Sequence, residues 1–322
     1  MSRESTSLPL MIQFSRRHFL GTTALASAGF IVRTQGAETA EPIIDIHQHL
    51  NYSGRTDEQF FAHQAAMGVT MTVLLPAGRP MKQASTHDGN SNGLAAEITG
   101  NEPAFALAAK HPDKLRCFAN EVADLADAVK FIRPYLKRGG IGIGEQKFGV
   151  EADSPAIEAI AGLAAEFNVP VLLHFQHGMY NLGIDRFHKI LGKFPKANFI
   201  GHAQTWWGNI DKLHKQEALY PQGPVTPGGI TDRLLSDYPN MFGDLSAGSG
   251  LNALVRDEDH TRAFLERHQD KLIFGSDCND TLGRGPGCQG AQTIATLRRL
   301  APSKDIERKL LYGNASKLLR IS

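Results

Sequence analysis

Two histidines separated by one residue are the strongest chemical feature of the chain. His47 and His49 stand at the end of a short isoleucine-rich run, 42–50, that is typical of a β-strand. Side chains alternate along a strand, so both imidazoles should point to one side while Gln48 points away. Imidazole nitrogens bind divalent metal ions, and the pair therefore supplies half of a metal site. A lone His-x-His is more often two ordinary polar residues, and its meaning depends on whether other strands end in ligand-type residues.

Further ligand-type residues occur at regular intervals along the chain. Glu145, His174 and His202 are separated by 29 and 28 residues, one strand–helix unit each, and Asp277 comes two units later. Imidazoles and carboxylates without thiolates suit zinc or a similar ion in a catalytic site. Such an ion lowers the pKa of a bound water, and Asp277 is predicted to accept the proton. His202 or Lys147 would stabilise the developing negative charge.

These residues need a scaffold that brings the ends of distant strands together. Strand-like and helix-like segments alternate along the chain, and most of the strands are short apolar runs typical of a buried parallel sheet. Eight strands are predicted, at 43–49, 69–75, 114–120, 141–147, 169–174, 197–202, 241–245 and 271–277. This count predicts a (β/α)₈ TIM barrel, with a doubly wound open sheet as the alternative.

Local signals support the helices and mark two long loops. Thr56 and Gln59 form a possible capping box, and Ser154 before Pro155 is typical of a helix start. The connections after strands 2 and 6, at 76–111 and 203–240, are longer than a barrel requires. Both follow strands, so both should rise from the face that carries barrel active sites.

Several residues near the strand ends are candidates for substrate contact. They are Arg55, His177, Trp206 and Ser246. Each has a structural alternative, since His177 could be a loop residue and Trp206, beside Trp207, could pack under the long loop. The histidines on other helices and loops are interpreted as surface groups: His63, His87, His111, His188, His214, His260 and His268.

Composition describes an ordinary globular protein. The 322 residues are 42% hydrophobic and 21% charged, with a formal net charge of +1. No basic stripe is present, which argues against a nucleic-acid partner. The three cysteines, Cys117, Cys278 and Cys288, form no Cys-x-x-Cys pair, so a zinc knuckle is not expected. Cys278 and Cys288 are the closer pair for a disulfide, and Cys117 is predicted to be a core residue.

The first 40 residues are predicted to be an export signal outside the catalytic domain. Ser15-Arg-Arg-His-Phe-Leu20 matches the twin-arginine pattern and is followed by a weakly apolar segment, 21–32, too short to span a membrane. The alternative is a chance arginine pair before a disordered tail. The prediction is a leader at 1–40, a barrel domain at 41–322, and a periplasmic or secreted protein with no membrane span after processing.

The chain resembles the amidohydrolase superfamily, specifically its amidohydrolase-related branch, over about residues 42–320. The resemblance rests on Asp45-Ile-His-Gln-His, the segment His111-Pro-Asp-Lys-Leu-Arg-Cys-Phe-Ala, Ile143-Gly-Glu, Leu173-His, Phe199-Ile-Gly-His, Ile273-Phe-Gly-Ser-Asp and Tyr312-Gly-Asn-Ala. It implies that His47, His49 and His174 are metal ligands, and that Asp277 is both a ligand and the general base. His202 would be either a ligand or an electrophilic helper. Glu145 stands where two-metal members place a bridging carboxylate, so one or two Zn²⁺ ions are both open.

The resemblance implies a metal-dependent hydrolase that acts on an ester, lactone or amide bond of a small molecule. A non-oxidative decarboxylase of a small carboxylic acid is the alternative, since members of this branch perform both reactions with similar ligands. An exported binding protein without turnover is a third reading, ranked last because all six proposed ligands are present. A homodimer is possible.

Overall fold

Eight short parallel strands carry the fold. The computed structural model describes residues 41–86 and 97–321. The strands are Ile44–Gln48 (β1), Met71–Leu74 (β2), Leu115–Cys117 (β3), Ile143–Gln146 (β4), Val171–His174 (β5), Phe199–His202 (β6), Met241–Asp244 (β7) and Leu272–Ile273 (β8). Each lies within one of the eight predicted segments. The predicted twin-arginine leader and His87 lie outside the described residues.

Helices follow the strands in the order that a barrel requires. They are Asp57–Met67 (α1), Asn101–Lys110 (α2), Ala128–Lys137 (α3), Pro155–Phe167 (α4), His188–Lys193 (α5), Gln204–Gly208 (α6), Ile230–Asp237 (α7), Ala247–Val255 (α8), Glu258–Arg267 (α9), Gln289–Leu300 (α10), Lys304–Arg308 (α11) and Asn314–Leu319 (α12). A π-helical turn, Lys309–Gly313, joins α11 to α12. Within the described ranges, none of these helices has the length and apolar character needed to cross a bilayer.

Two predicted helix starts are confirmed in atomic detail. The Thr56 hydroxyl accepts a hydrogen bond from the Gln59 backbone amide, and the Gln59 side chain accepts one from the Thr56 amide. This reciprocal pair is the capping box predicted for α1. The Ser154 side chain caps α4, which begins at Pro155. Such caps contribute about 1 kcal/mol each because they satisfy amides that the helix leaves unpaired.

The strands close into a barrel. Hydrogen bonds join β1, β2 and β3 in one parallel group and β4 to β8 in another. A parallel bridge between Ala119 and Ile143 links the first group to the second. At the other junction the Ile46 amide donates to the Phe274 carbonyl at 3.2 Å. The described strands and helices therefore form the predicted (β/α)₈ fold.

The hydrophobic core has two layers. One cluster fills the barrel interior, because its members come from strands all around the barrel and include Ile46, Val73, Leu172, Ile200 and Ile273. Ala315 and Leu319 of α12 join this cluster and close one end of it. A larger cluster packs the outer strand faces against the helices. With the interior filled by side chains, the polar strand ends are left for the site.

The last strand is shorter than predicted, and the difference has a local cause. β8 ends at Ile273, so Asp277 lies in the following loop and adopts a left-handed φ of 42°. Gly275 lies between them, and a Cβ there would come within 2.6 Å of Asp244 Oδ1 and 2.9 Å of His47 Cβ. The glycine therefore lets the end of β8 approach β1 and β7 closely enough to bring Asp277 over the barrel mouth.

Candidate metal centre

Four metal-binding atoms converge at the carboxyl end of the barrel. His47 and His49 come from the end of β1, Glu145 from β4 and Asp277 from the loop after β8. Nε2 of His47 lies 3.7 Å from Glu145 Oε2 and 3.8 Å from Asp277 Oδ1. Nε2 of His49 lies 3.6 Å from each of the same two oxygens. Residues from the first, fourth and last strand–loop units thus face one point.

The arrangement fits a divalent ion. The two Nε2 atoms, Glu145 Oε2 and Asp277 Oδ1 are all buried, and none has a hydrogen-bond partner. Buried polar atoms without partners are costly, so four of them facing the same region fit a site that binds a metal ion. Ligand atoms of His47, His49 and Asp277 lie close enough together to share one ion, and Glu145 Oε2 lies within 3.7 Å of both histidines. The donor set of two imidazoles and two carboxylates suits zinc.

Hydrogen bonds fix which nitrogen of each β1 histidine faces the centre. Nδ1 of His47 lies 2.7 Å from Oδ2 of the buried Asp244, at the end of β7. Nδ1 of His49 donates to the Leu75 carbonyl at 2.7 Å. Both contacts turn Nε2 towards the centre, where a neutral imidazole with its proton on Nδ1 would offer a lone pair to a metal. Such partners orient ligand imidazoles and raise their basicity.

His202 joins the centre from the opposite side. Its Nε2 lies 3.5 Å from Asp277 Oδ2 and 3.7 Å from Glu145 Oε1. Its Nδ1 lies 3.2 Å from Asp244 Oδ2 and 3.0 Å from Ser246 Oγ. Asp244 therefore orients both His47 and His202. Ligand atoms of His47, Glu145 and His202 are also close enough together to share an ion.

His174 contacts Glu145 directly. Its Nδ1 lies 2.5 Å from Glu145 Oε1, and its Nε2 lies 3.1 Å from the side-chain amide of Gln176. Glu145 thus presents Oε2 to the four-atom centre while Oε1 is held by His174. Among the described residues, His174 belongs to no group of ligand atoms spaced to hold an ion.

Charge coupling controls the protonation of the centre. Burial would raise the pKa of Asp277, but the charge of His47 and the hydrogen bond from His202 hold it well below its usual range. Burial would likewise raise the pKa of Asp244, but the charge of His47 dominates and lowers it to about 2. Both carboxylates are therefore ionised at neutral pH, as ligand and orienting group require.

The histidine pKa values move in opposite directions. Burial would lower the pKa of His47, but the charges of Asp277 and Asp244 raise it well above its usual range. The pKa of His174 falls to about 4, because burial and the charge of Lys147 both disfavour the imidazolium. His174 is therefore a neutral hydrogen-bond donor to Glu145 at neutral pH.

Lys147 lies near His174, whereas His177 lines a cavity that includes none of the proposed ligands. Lys147 is half-buried, with Nζ 5.4 Å from the centre of the Tyr180 ring. His177 is exposed and lines a cavity of about 480 Å³ together with Gln176 and Thr205. Of these two residues, Lys147 alone is placed near the proposed ligands.

Three other predicted substrate contacts are placed differently. Arg55 is buried, and its guanidinium donates to Gln48 Oε1 and to the carbonyls of Cys278 and Asp280. Trp206 is fully buried and stacks on Phe175. Ser246 is fully buried, and its hydroxyl donates to Asp244 at 2.8 Å. All three side chains are buried and contact other protein groups, and their roles in substrate binding stay predictions.

Some site and core residues are not among those predicted from sequence. Asp244 is one of them, although it ends a predicted strand with a carboxylate, the same signal that points to the other ligands. The Tyr52 hydroxyl hydrogen-bonds Asp277, whose charge together with burial raises the pKa of Tyr52. No spacing signal points to Tyr52. The predicted surface positions of His63, His260 and His268 are wrong, since all three are buried against other helices or loops.

Comparison with known proteins identifies a family for this chain and solved structures with a similar fold. The chain matches the family profile described as amidohydrolase over residues 44–321. The 5-carboxyvanillate decarboxylase of Sphingomonas paucimobilis is 14% identical, with a TM-score of 0.54 and 84% of each chain covered. A 2,6-dihydroxybenzoate decarboxylase from Rhizobium is 13% identical, with a TM-score of 0.55, covering 87% of this chain and 99% of that one.

A hydrolase is also among the similar structures. A probable 2-pyrone-4,6-dicarboxylic acid hydrolase from Acinetobacter baumannii is 15% identical, with a TM-score of 0.54, covering 87% of this chain and 99% of that one. Identities this low establish a shared fold and leave the reaction open. No curated protein sequence matches the chain significantly.

Proposed function

Because this chain belongs to the amidohydrolase family, we propose that it hydrolyses an ester, lactone or amide bond of a small molecule with a divalent metal ion. The observation that carries the proposal is the set of four buried, unpartnered atoms of His47, His49, Glu145 and Asp277. A divalent ion held by these atoms would lower the pKa of a bound water and polarise the substrate carbonyl. The zinc preference follows from the nitrogen and oxygen donor set.

Asp277 is the proposed general base. Its side chain is 12% exposed, whereas that of Glu145 is 1% exposed, so solvent reaches only the first of these two carboxylates. Oδ1 faces the metal position and Oδ2 faces His202, which leaves Asp277 next to both the ion and an attacking water. Asp277 would accept the proton of the water during attack and deliver it to the leaving group afterwards.

His202 is proposed to act beside Asp277. Its Nδ1 side is held by Asp244 and Ser246, so its Nε2 is fixed towards the reacting region. Burial would lower the pKa of His202, but hydrogen bonds to Asp244 and Asp277 raise it overall. A protonated Nε2 would donate to the oxygen that gains negative charge when water attacks the carbonyl. Lys147 would add a longer-range positive charge.

We further propose one ion in this centre, not two. A second ion would need Glu145 Oε1 together with His174 and His202. That oxygen already receives the Nδ1–H of the neutral His174 at 2.5 Å. A bridged pair would have to break this contact, whereas a single ion held by His47, His49 and Asp277 would not.

Decarboxylation is a second candidate because of the cation beside the site. The charge of Lys147 lowers the pKa of His174, and this nearby ammonium group would attract a substrate carboxylate. A carboxylate held there would suit either hydrolysis of a carboxylated substrate or loss of CO₂ with protonation at carbon.

Isotope labelling separates the two reactions. The metal-loaded protein would be screened against aryl esters, lactones, amides and aromatic carboxylic acids in H₂¹⁸O and in D₂O. Hydrolysis places one ¹⁸O in the product acid, whereas decarboxylation releases CO₂ and places deuterium on carbon. Asp277→Asn should abolish turnover, and Asp232→Asn, which changes a buried aspartate outside the centre, should retain it.

The negative results of this screen are also informative. If the protein holds metal but turns over no compound in either class, the remaining interpretation is a binding protein without catalysis. If it holds no metal after purification without chelators, the proposal of a metal-dependent enzyme fails.

We also propose export by the twin-arginine route, and this rests on the sequence of residues 15–20 alone. Fractionation of bacterial cells that express the full chain would test it. The wild type should appear in the periplasm with a shortened N-terminus, and the double variant Arg16→Lys, Arg17→Lys should stay in the cytoplasm at full length. Equal distribution of both proteins would contradict the proposal.

A further inference from the structure

A second cluster of ligand-type side chains lies where α1, the loop after β8 and the start of α10 meet. His63 comes from α1, Cys278 and Asp280 from the loop after β8, and Cys288 from the N-cap of α10. One ligand atom from each residue lies within 4.8 Å of every other. The proposed hydrolytic chemistry uses none of these four residues.

Distances within the cluster match a tetrahedral ion. The two sulfur atoms of Cys278 and Cys288 are 3.8 Å apart, and Cys288 Sγ lies 3.4 Å from His63 Nε2. Zinc bonds of about 2.3 Å to sulfur and about 2.0 Å to nitrogen would give separations of about 3.8 and 3.5 Å. Asp280 Oδ2 lies 3.9 Å from His63 Nε2, on the open side of the cluster.

The cluster is closed to solvent on three sides. His63 and Cys288 are fully buried and Cys278 is nearly so, while Asp280 is partly exposed. Closed four-ligand sites that include thiolates are typical of structural zinc, whereas catalytic sites keep an open position. We propose that His63, Cys278, Asp280 and Cys288 form a second, structural metal site that takes Zn²⁺.

The position of this site suggests what it does. Cys278 directly follows Asp277, and its carbonyl accepts hydrogen bonds from Gln48 at 3.0 Å and from Arg55 at 2.9 Å. Gln48 in turn lies between the two β1 histidines. An ion bound to Cys278 would therefore anchor the loop that carries Asp277 and hold it in register with β1. The structural site would act as a positioning element for the catalytic one.

Zinc content and the local zinc environment test this proposal directly. The protein would be prepared without chelators or added thiols and measured by elemental analysis and zinc X-ray absorption. Wild type should hold two zinc ions per chain with sulfur among the ligands. Cys288→Ala should lose one ion and all sulfur scattering. Cys117→Ala, which removes an equally buried thiol in β3, should change neither.

A second variant keeps the test valid if Cys288→Ala fails to fold. The double variant His47→Ala, His49→Ala removes ligands of the catalytic centre only, so it should keep one ion, now bound mainly to sulfur. Absence of sulfur scattering in both wild type and this variant would overturn the proposal. A native mass lower by two hydrogens, which indicates a Cys278–Cys288 disulfide, would also overturn it.

The two metal sites can fail separately. If wild type holds an ion bound by nitrogen and oxygen but none bound by sulfur, only the structural site is refuted. The reverse result refutes only the catalytic centre.

Discussion

Oδ2 of Asp244 lies 2.7 Å from Nδ1 of His47, and this buried contact decides which nitrogen of His47 faces the metal position. The same oxygen also accepts from Ser246 and lies near His202. One carboxylate thus orients two of the imidazoles on which the centre depends.

Asp244→Asn is expected to weaken metal binding. The asparagine side chain keeps one oxygen that can accept from His47, but the negative charge is lost. Its NH₂ group would replace an oxygen that now accepts hydrogen bonds. Loss of such an orienting partner reduces metal affinity by roughly 10–100-fold. Competition with a chromogenic chelator would measure it. Asp232→Asn is the matched control, since Asp232 is buried and lies 2.7 Å from Nε2 of His268 outside the centre. Equal affinity loss in both variants would contradict the specific role of Asp244.

His174→Gln is expected to leave the metal content unchanged. A glutamine amide can still donate to Glu145 Oε1, and the proposed ion does not use His174. Elemental analysis should show the same number of ions per chain as in wild type, while Glu145→Gln should lose one. His177→Gln, in the loop that follows β5, is the control. If His174→Gln loses an ion and His177→Gln does not, a bridged two-metal centre is present after all.

Arg55→Lys is expected to destabilise the fold without impairing substrate binding. A lysine has one ammonium group and cannot serve the three acceptors of the Arg55 guanidinium. The loss should be about 2 kcal/mol in the free energy of unfolding, measured with urea at fixed zinc. Arg133→Lys changes an exposed ion pair with Glu166 and should cost about 0.5 kcal/mol or less. A raised KM with unchanged stability would instead support the substrate contact predicted from sequence.

Asp232 gives a pH-dependent prediction outside the metal sites. Burial would raise its pKa, but the hydrogen bond from His268 and the charge of Arg267 lower it overall. Its folded pKa is therefore below the unfolded value of about 3.9, so its stabilisation is complete above that pH and is lost as the pH falls through the folded pKa.

Calorimetry across pH tests this sign. Asp232→Asn should have a lower Tm than wild type at pH 7, and the difference should shrink as the pH falls below about 4. Asp232 contacts none of the proposed metal ligands, so any loss of metal ions in acid should affect both proteins alike. Asp185→Asn, at an exposed position, should show no such trend. A difference that grows in acid would contradict the prediction.

Much of the scaffold could be predicted from the sequence because the strand–helix units of a barrel repeat at regular intervals. The spacing of Glu145, His174 and His202 matches one strand–helix unit, and each residue ends a buried apolar run. Since the carboxyl ends of all eight strands meet at one face, these positions predicted a common site. The structure brings His47, His49, Glu145, His202 and Asp277 together there, and it places His174 against Glu145.

The remaining features depend on contacts that sequence spacing does not encode. Asp244 contacts His47, which lies 197 positions earlier in the sequence. His63 and Cys288 are in contact although 225 positions separate them. Arg55 follows the histidine pair closely and resembled a substrate-binding cation. Only the positions of the Cys278 and Asp280 carbonyls show that its guanidinium is already occupied.

The proposed catalytic centre would draw its ligands from both ends of the barrel domain. His47 belongs to the first strand, whereas Asp277 follows the last, and the two strands meet at the closing junction. During synthesis on the ribosome, a chain that has reached β6 or β7 therefore carries every imidazole but cannot complete the site. Metal retention would then report that the whole barrel has been made and closed, and proteolytic fragments lacking either end should release the ion.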